Sequence, residues 1–166
     1  MPLDYFLTLA RYNAWANRRI YEACGRLDAE DLARPRPSFF GSILATLNHL
    51  QVGDRLWLSR IEGKPDPEVT RLDQILHTDF EPLAKAREAL DARLFSVVAG
   101  LSSDRLAGSL EYANIAGEKQ STPLALVLGH LFNHQTHHRG QVHNLLSDTS
   151  VAPPPLDLIY FLRNPA

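Results

Sequence analysis

The run "TPLALVLGHLFNHQTHHRGQVHNLL", Thr122 to Leu146, constrains this chain more than any other stretch. It has the apolar period of a long helix, yet it holds His130, His134, His137, His138 and His143, out of seven histidines in the whole chain. Its start carries a clear opening signal, with Thr122 expected as the N-cap and Pro123 at the first helical position. On a wheel turning about 100° per residue, His138 stands about 40° from His134 on one side and His130 about 40° on the other. His137 lies about 60° away, Gln141 about 20°, and His143 on the opposite face. Val127, Leu131, Val142 and Leu145 share the His134 side, so several imidazoles point where the helix also buries its aliphatic side chains.

A buried imidazole needs partners for both ring nitrogens, and crowded imidazoles cannot all carry a proton. A divalent metal ion resolves the conflict by taking one nitrogen from each ring and leaving the other to a neighbouring acceptor. Residues four apart on a helix stand one above the other, which suits a shared ion. Two such pairs overlap here, His130/His134 and His134/His138, and the spacing leaves the choice between them open. Gly140 costs about 1 kcal/mol of helix propensity, and is expected to mark the close approach of a ligand or another backbone.

A third ligand must come from elsewhere. His49 sits within the helical segment "ILATLNHLQVGDRLW", with Ala45, Val52, Gly53 and Leu56 within about 60° of it, so it faces inward and is the candidate third donor. His77 follows "DQILH" in a connection and reads as a surface residue. No general base stands out. Asp54 lies about 140° from His49 and reads as a cap or salt-bridge partner. Gln141 shares the histidine face, where it can make a structural hydrogen bond or orient a water. Arg139 is expected to pair with an acid, and Tyr12, Asn13, Trp15 and Asn17 to serve packing and helix–helix hydrogen bonds rather than a pocket.

The remaining segments set the architecture. Leu3 to Leu27 has helical spacing at Phe6, Leu9, Ala10, Ala16, Ile20 and Cys24, with Asp4 near its start, where the helix dipole favours a carboxylate. Asp28 to Pro37 reads as a loop with one short turn. Ser42 to Ile61 is a second long helix, stopped by "EGKPDPE". Asp79 can cap a third, with Pro82 in its first turn and a buried stripe of Leu83, Ala86, Leu90, Leu94, Val97 and Leu101. "SLEYANIAGEKQS" breaks the period and reads as a small hairpin near residues 108–119. A short C-terminal helix, "LDLIYFLR", closes the chain. With the histidine-rich segment, four long helices predict an all-α four-helix bundle, one domain over residues 1–166, whose helix order the connections leave open.

Composition excludes several function classes. Net charge is −2 with a pI of about 6.4, and no Lys/Arg block occurs, which argues against a nucleic-acid surface. Cys24, the single cysteine, leaves no intramolecular disulfide and reads as a small core residue. No apolar run is long enough to span a bilayer, and no signal peptide is read at the N-terminus, so a cytoplasmic protein without membrane or nucleic-acid partners is expected.

The elements "YNAWANRRI" (12–20), "LNHLQVGDRLWL" (47–58), "HLFNHQTHHRGQ" (130–141) and "LDLIYFLR" (156–163) together resemble the DinB family, over nearly the whole chain. The resemblance implies an up-down-down-up four-helix bundle, a homodimer, and a divalent metal held by three histidines. Carried over by position, those are His49, His134 and His138, which would leave His130 and His137 as supporting residues. Zn²⁺ is the first choice of ion, with Ni²⁺ or Fe²⁺ also suited to imidazole. Relatives include thiol-dependent S-transferases and presumed metal-dependent hydrolases, so the expected activity is one of these two on a small-molecule substrate, with a low-molecular-weight thiol as co-substrate in the first case. The alternative is a non-catalytic metal-binding stress-response protein whose ion is structural or sensory. The family name refers to induction by DNA damage and implies no DNA binding.

Overall fold

The computed structural model describes residues 3–164. Its elements are α1 (Leu3–Cys24), α2 (Ala29–Ala33), α3 (Ile43–Glu62), α4 (Phe80–Ala99), α5 (Ser103–Ala107), β1 (Ser109–Ala113), β2 (Lys119–Pro123), α6 (Leu124–Leu146) and α7 (Leu158–Arg163). Local chemistry sets their ends. The Ser42 hydroxyl accepts from the Ala45 amide at the start of α3, and Gly63, at φ 65°, ends that helix in the left-handed conformation. The Asp28 carboxylate caps α2 by accepting from Asp31 N–H, so the loop expected over 28–37 contains one short helix.

The hairpin runs further than the sequence indicated. Thr122 pairs with Leu110 and Pro123 with Ser109, so Thr122 is a strand residue and not the cap of α6. Helix α6 begins at Leu124, with Pro123 as its cap residue. Its Leu124 amide is satisfied by the Gly108 carbonyl at 2.9 Å, a tertiary contact that replaces the expected side-chain cap.

The four long helices form a ring in the order α1, α4, α3, α6. Tyr21, late in α1, packs on Phe80 at the start of α4, and Phe6, early in α1, shares a cluster with Leu94 and Val98, so these helices are antiparallel. Gln51, Asp54 and Glu62 of α3 meet Leu83, Arg87 and Arg93 of α4 in step, which makes that pair parallel. His49 faces His134 and His138 while Trp57 faces His130, so α6 opposes α3. The result is the up-down-down-up arrangement. Among the described residues, no helix is long and apolar enough to cross a membrane.

The two larger apolar clusters of the interior are separated by a polar belt, and a third, smaller one joins Trp15 and Ala16 to Phe161. Of the larger two, one gathers Ile20, Cys24, Leu47, Leu83 and Val142; the other gathers Phe6, Leu58, Leu94, Leu128 and Leu131. Burial among these carbons pushes the Cys24 thiol up to about 12, in keeping with its core reading. Between the clusters, Arg87 places Nη1 2.8 Å from Asp54 Oδ2 and Nη2 2.9 Å from Asp91 Oδ1. Asn13 and Asn17 donate to Asp91 at 3.1 and 3.0 Å, and Gln135 donates to Asp54 at 2.6 Å. Arg139 Nη1 donates to the side-chain oxygens of Asn13 and Asn17 at 2.7 and 2.9 Å, and its guanidinium lies against the Tyr12 ring. Asp54 therefore has the salt-bridge role expected of it.

Arg139 does not pair directly with an acid, contrary to expectation. Among the described residues no carboxylate lies within ion-pair reach of it, because Asp54 and Asp91 are engaged by Arg87 and the two asparagines relay between Arg139 and Asp91. Burial lowers the Arg139 pKa, whereas in Arg87 the pull of Asp91 and Asp54 outweighs burial and the pKa rises. Burial likewise raises the Asp91 carboxyl, against the attraction of Arg87.

Replacing Arg87 by Met leaves two buried carboxylates with their counter-charge removed. Urea denaturation should show a loss of about 3–5 kcal/mol of unfolding free energy. A loss below about 1 kcal/mol would mean that the belt does not depend on Arg87.

Candidate metal centre

Helix α3 presents His49 and α6 presents His134 and His138, and one ring nitrogen from each lies within 4.8 Å of the other two. The ring centres are 4.4–4.9 Å apart, with His49 Nε2 2.9 Å from His134 Nε2. Hydrogen bonds aim the inner nitrogens. His49 Nδ1 lies 2.7 Å from the Leu72 carbonyl oxygen, and His138 Nδ1 lies 2.7 Å from Gln141 Oε1. Each acceptor takes an Nδ1–H, which leaves Nε2 of that ring as a bare lone pair.

The histidines are held neutral. Burial, reinforced by His138, His49, His130 and His137, lowers the His134 pKa to about 3. Burial also lowers those of His49 and His138, against the hydrogen bonds that Leu72 and Gln141 supply. At pH 7 the cluster therefore offers three uncharged nitrogen donors. Ligands about 2.1 Å from a tetrahedral ion stand about 3.4 Å apart, a separation that the 2.9–4.8 Å range of this cluster brackets. Aligned Nδ1–H bonds, neutral rings and converging lone pairs together fit a divalent cation. No Asp, Glu or Cys joins the three histidines within that reach among the described residues.

Two features seat the rings. The Phe40 ring stacks on His49 at 3.9 Å between centres and meets the edge of His138 at 5.4 Å. Gly53, one turn beyond His49, gives His134 its space: a Cβ built there would stand 2.8 Å from His134 Cε1. No other backbone approaches Gly140, where a Cβ would meet nothing within 4 Å of the protein; within the protein the close approach occurs at Gly53.

The other singled-out histidines fall outside the cluster. His130 is exposed and stands edge-on to Trp57 at 5.3 Å, while its ring centre lies 5.8 Å from that of His134. His137 is exposed and contacts Gln141, whose amide nitrogen is 3.3 Å from its Nε2. His143 is half-buried, and His77 enters through its backbone, which bonds Asn48. Gln141 thus holds His138. Sequence reasoning missed Phe40, Gln135 and the Leu72 carbonyl. Phe40 and Leu72 lie in connections without periodicity, and a backbone oxygen leaves no mark in a sequence.

Three comparisons with known proteins bear on this centre. A family model described as the DinB family matches residues 1–165. Protein DinB of Bacillus subtilis (strain 168) is 27% identical over 162 residues, which cover 96% of this chain and 94% of that one. The crystal structure of a DinB-like protein from Bacillus cereus ATCC 10987 superposes with a TM-score of 0.63 at 19% identity, covering 85% of this chain and 90% of the other, a likeness of fold. The motifs around His49 and His134/His138, the bundle topology and the match over residues 1–165 agree: the chain belongs to the DinB family.

Proposed function

We propose that the chain is a metal-dependent S-transferase, in which His49, His134 and His138 hold a divalent ion, Zn²⁺ first and Ni²⁺ or Fe²⁺ next, and a low-molecular-weight thiol is transferred to a small electrophile. The observation that carries this reading is the convergence of three neutral imidazoles with no carboxylate beside them. Three neutral ligands leave the ion's charge uncancelled and coordination positions open. When bound, such an ion acidifies a coordinated thiol or water.

The residues of the chain have separate tasks. Leu72 and Gln141 fix the tautomers of His49 and His138. Phe40 covers one side of His49 and keeps water from that face of its ring. Metal-assisted hydrolysis is the second reading, and the same observation weighs against it. Water activation gains from a general base, and Asp54, the acid nearest in sequence, is committed to Arg87 and Gln135 in the core. S-transfer makes less demand, because a thiolate is already a strong nucleophile. A non-catalytic centre, with the ion tying α3 to α6, is the reading that remains if no substrate turns over. The proposal includes a cytoplasmic homodimer acting on small molecules.

Protein purified without chelators should carry about one divalent ion per chain by elemental analysis, and His134→Ala should carry none; retention of the ion in that variant overturns the centre. Gly53→Ala separates the site from the fold. The new methyl group intrudes on the His134 ring while alanine improves helix propensity by about 1 kcal/mol. The chelated variant should therefore melt no lower than the chelated parent, yet bind Zn²⁺ at least about tenfold more weakly in a competition titration. Metal-replete protein assayed against a panel of bacterial thiols should consume an electrophile such as monochlorobimane only when one particular thiol is present. Consumption of an ester without any thiol would support hydrolysis instead.

A further inference from the structure

Beyond His130, the face shared by α3 and α6 continues into a second cluster. Trp57 meets His130 edge-on at 5.3 Å and Tyr112 edge-on at 5.2 Å. The guanidinium carbon of Arg60 stands 4.8 Å from the centres of both the Trp57 and Tyr112 rings. Tyr112 belongs to β1, so the hairpin closes this end of the face. Trp57, Arg60 and Tyr112 are half-buried.

Arg60 has no carboxylate and no hydrogen-bond acceptor in contact among the described residues. Its neighbours differ: Arg55 is bound by Asp66 and Glu68, and Arg93 by Glu62. Burial without a counter-charge lowers the Arg60 pKa, the reverse of what a partner produces at Arg55. A guanidinium lying on aromatic faces keeps its N–H edge free for a planar acceptor. Two rings hold this one in place, so little side-chain freedom is left to lose on binding.

We propose that Arg60, Trp57 and Tyr112 form a carboxylate subsite, in which the guanidinium edge takes the two oxygens of one carboxylate and the rings take the adjoining apolar part of the ligand. A single cation matches a monoanion. The subsite stands about 16 Å beyond His49 along α3, with His130 and Trp57 forming the surface between. Its use as a handle on the substrate of the histidine centre rests on the metal-dependent reading above; its affinity for carboxylates does not.

Hippurate, an aromatic monocarboxylate, and its uncharged amide are suitable probes. The indole N–H signal of Trp57 in ¹⁵N-labelled protein, assigned through Trp57→Phe, reads their binding. The parent protein should bind hippurate about tenfold more tightly than the amide, as expected for a charge-assisted fork. Arg60→Met should abolish that preference and Arg60→Lys should retain part of it. Equal binding of acid and amide by the parent, an undiminished preference in Arg60→Met, or tighter binding of phenyl phosphate than of hippurate would each overturn the carboxylate assignment. The parent comparison needs no variant to fold. The Co²⁺ absorption spectrum of the same samples reads the histidine centre independently: Arg60→Met should take up cobalt as the parent does. A parent that ignores cobalt yet prefers hippurate keeps the subsite and loses the metal reading.

Discussion

The contact of Arg87 with Asp54 and Asp91 joins α3 to α4 at the middle of the bundle, where the apolar core is interrupted. Asn13 and Asn17 bring in α1, and Gln135 and Arg139 bring in α6, so one network of polar side chains touches all four long helices. Two buried arginines face two buried aspartates, and the formal charges cancel inside the belt. Such a network gains little stability over a well-packed apolar layer, but it penalises any arrangement that separates its members. A four-helix bundle with apolar faces alone could slide or exchange neighbours at small cost. This one cannot rotate a helix without stranding a buried charge.

The belt also aims the histidines. On α6 the site and the belt alternate: His134 is followed by Gln135, and His138 by Arg139. On α3 Gly53, which makes room for His134, is followed by Asp54. Consecutive helical residues point about 100° apart, so one of each pair enters the belt while the other faces the site. Gln135 bonding Asp54 at 2.6 Å sets the rotation of α6 against α3. That rotation brings His134 Nε2 to 2.9 Å from His49 Nε2. The site is therefore positioned chiefly from the core side, with Leu72, Gln141 and Phe40 making the final adjustment from the surface.

What the sequence revealed follows the same division. Helical period placed four long helices, and helical phase put His49, His134 and His138 on inward faces, because both signals repeat along one element. The choice of His138 over His130 did not come from phase, since both stand about 40° from His134. It came from resemblance, and its physical counterpart lies across the bundle, where Trp57 occupies the space opposite His130 and His49 the space opposite His138. Arg139 and Thr122 show the limit from another side. Each carried a correct local preference, for an acid and for a helix cap, and each was taken by a tertiary partner, the belt asparagines in one case and the Leu110 strand in the other. Gly140 drew the expectation of a close approach and Gly53 did not, because the side chain that crowds Gly53 comes from the facing helix.

The two polar clusters of this bundle differ in how they balance charge, and the difference bears on function. The belt is balanced in charge by its own side chains: Arg87 faces Asp54 and Asp91, and the asparagines join Arg139 to Asp91. The histidine cluster is open. Its Nδ1 hydrogen bonds are filled at His49 and His138, its rings are held neutral, and its inner nitrogens point lone pairs at one another. A shared proton can relieve one such pair, His49 with His134, but leaves the third donor without a partner. A divalent cation satisfies all three at once. A fold that builds a charge-balanced belt one residue away from His134 and His138, and leaves the histidines uncompensated beside it, has the polarity of a site that takes its positive charge from solution.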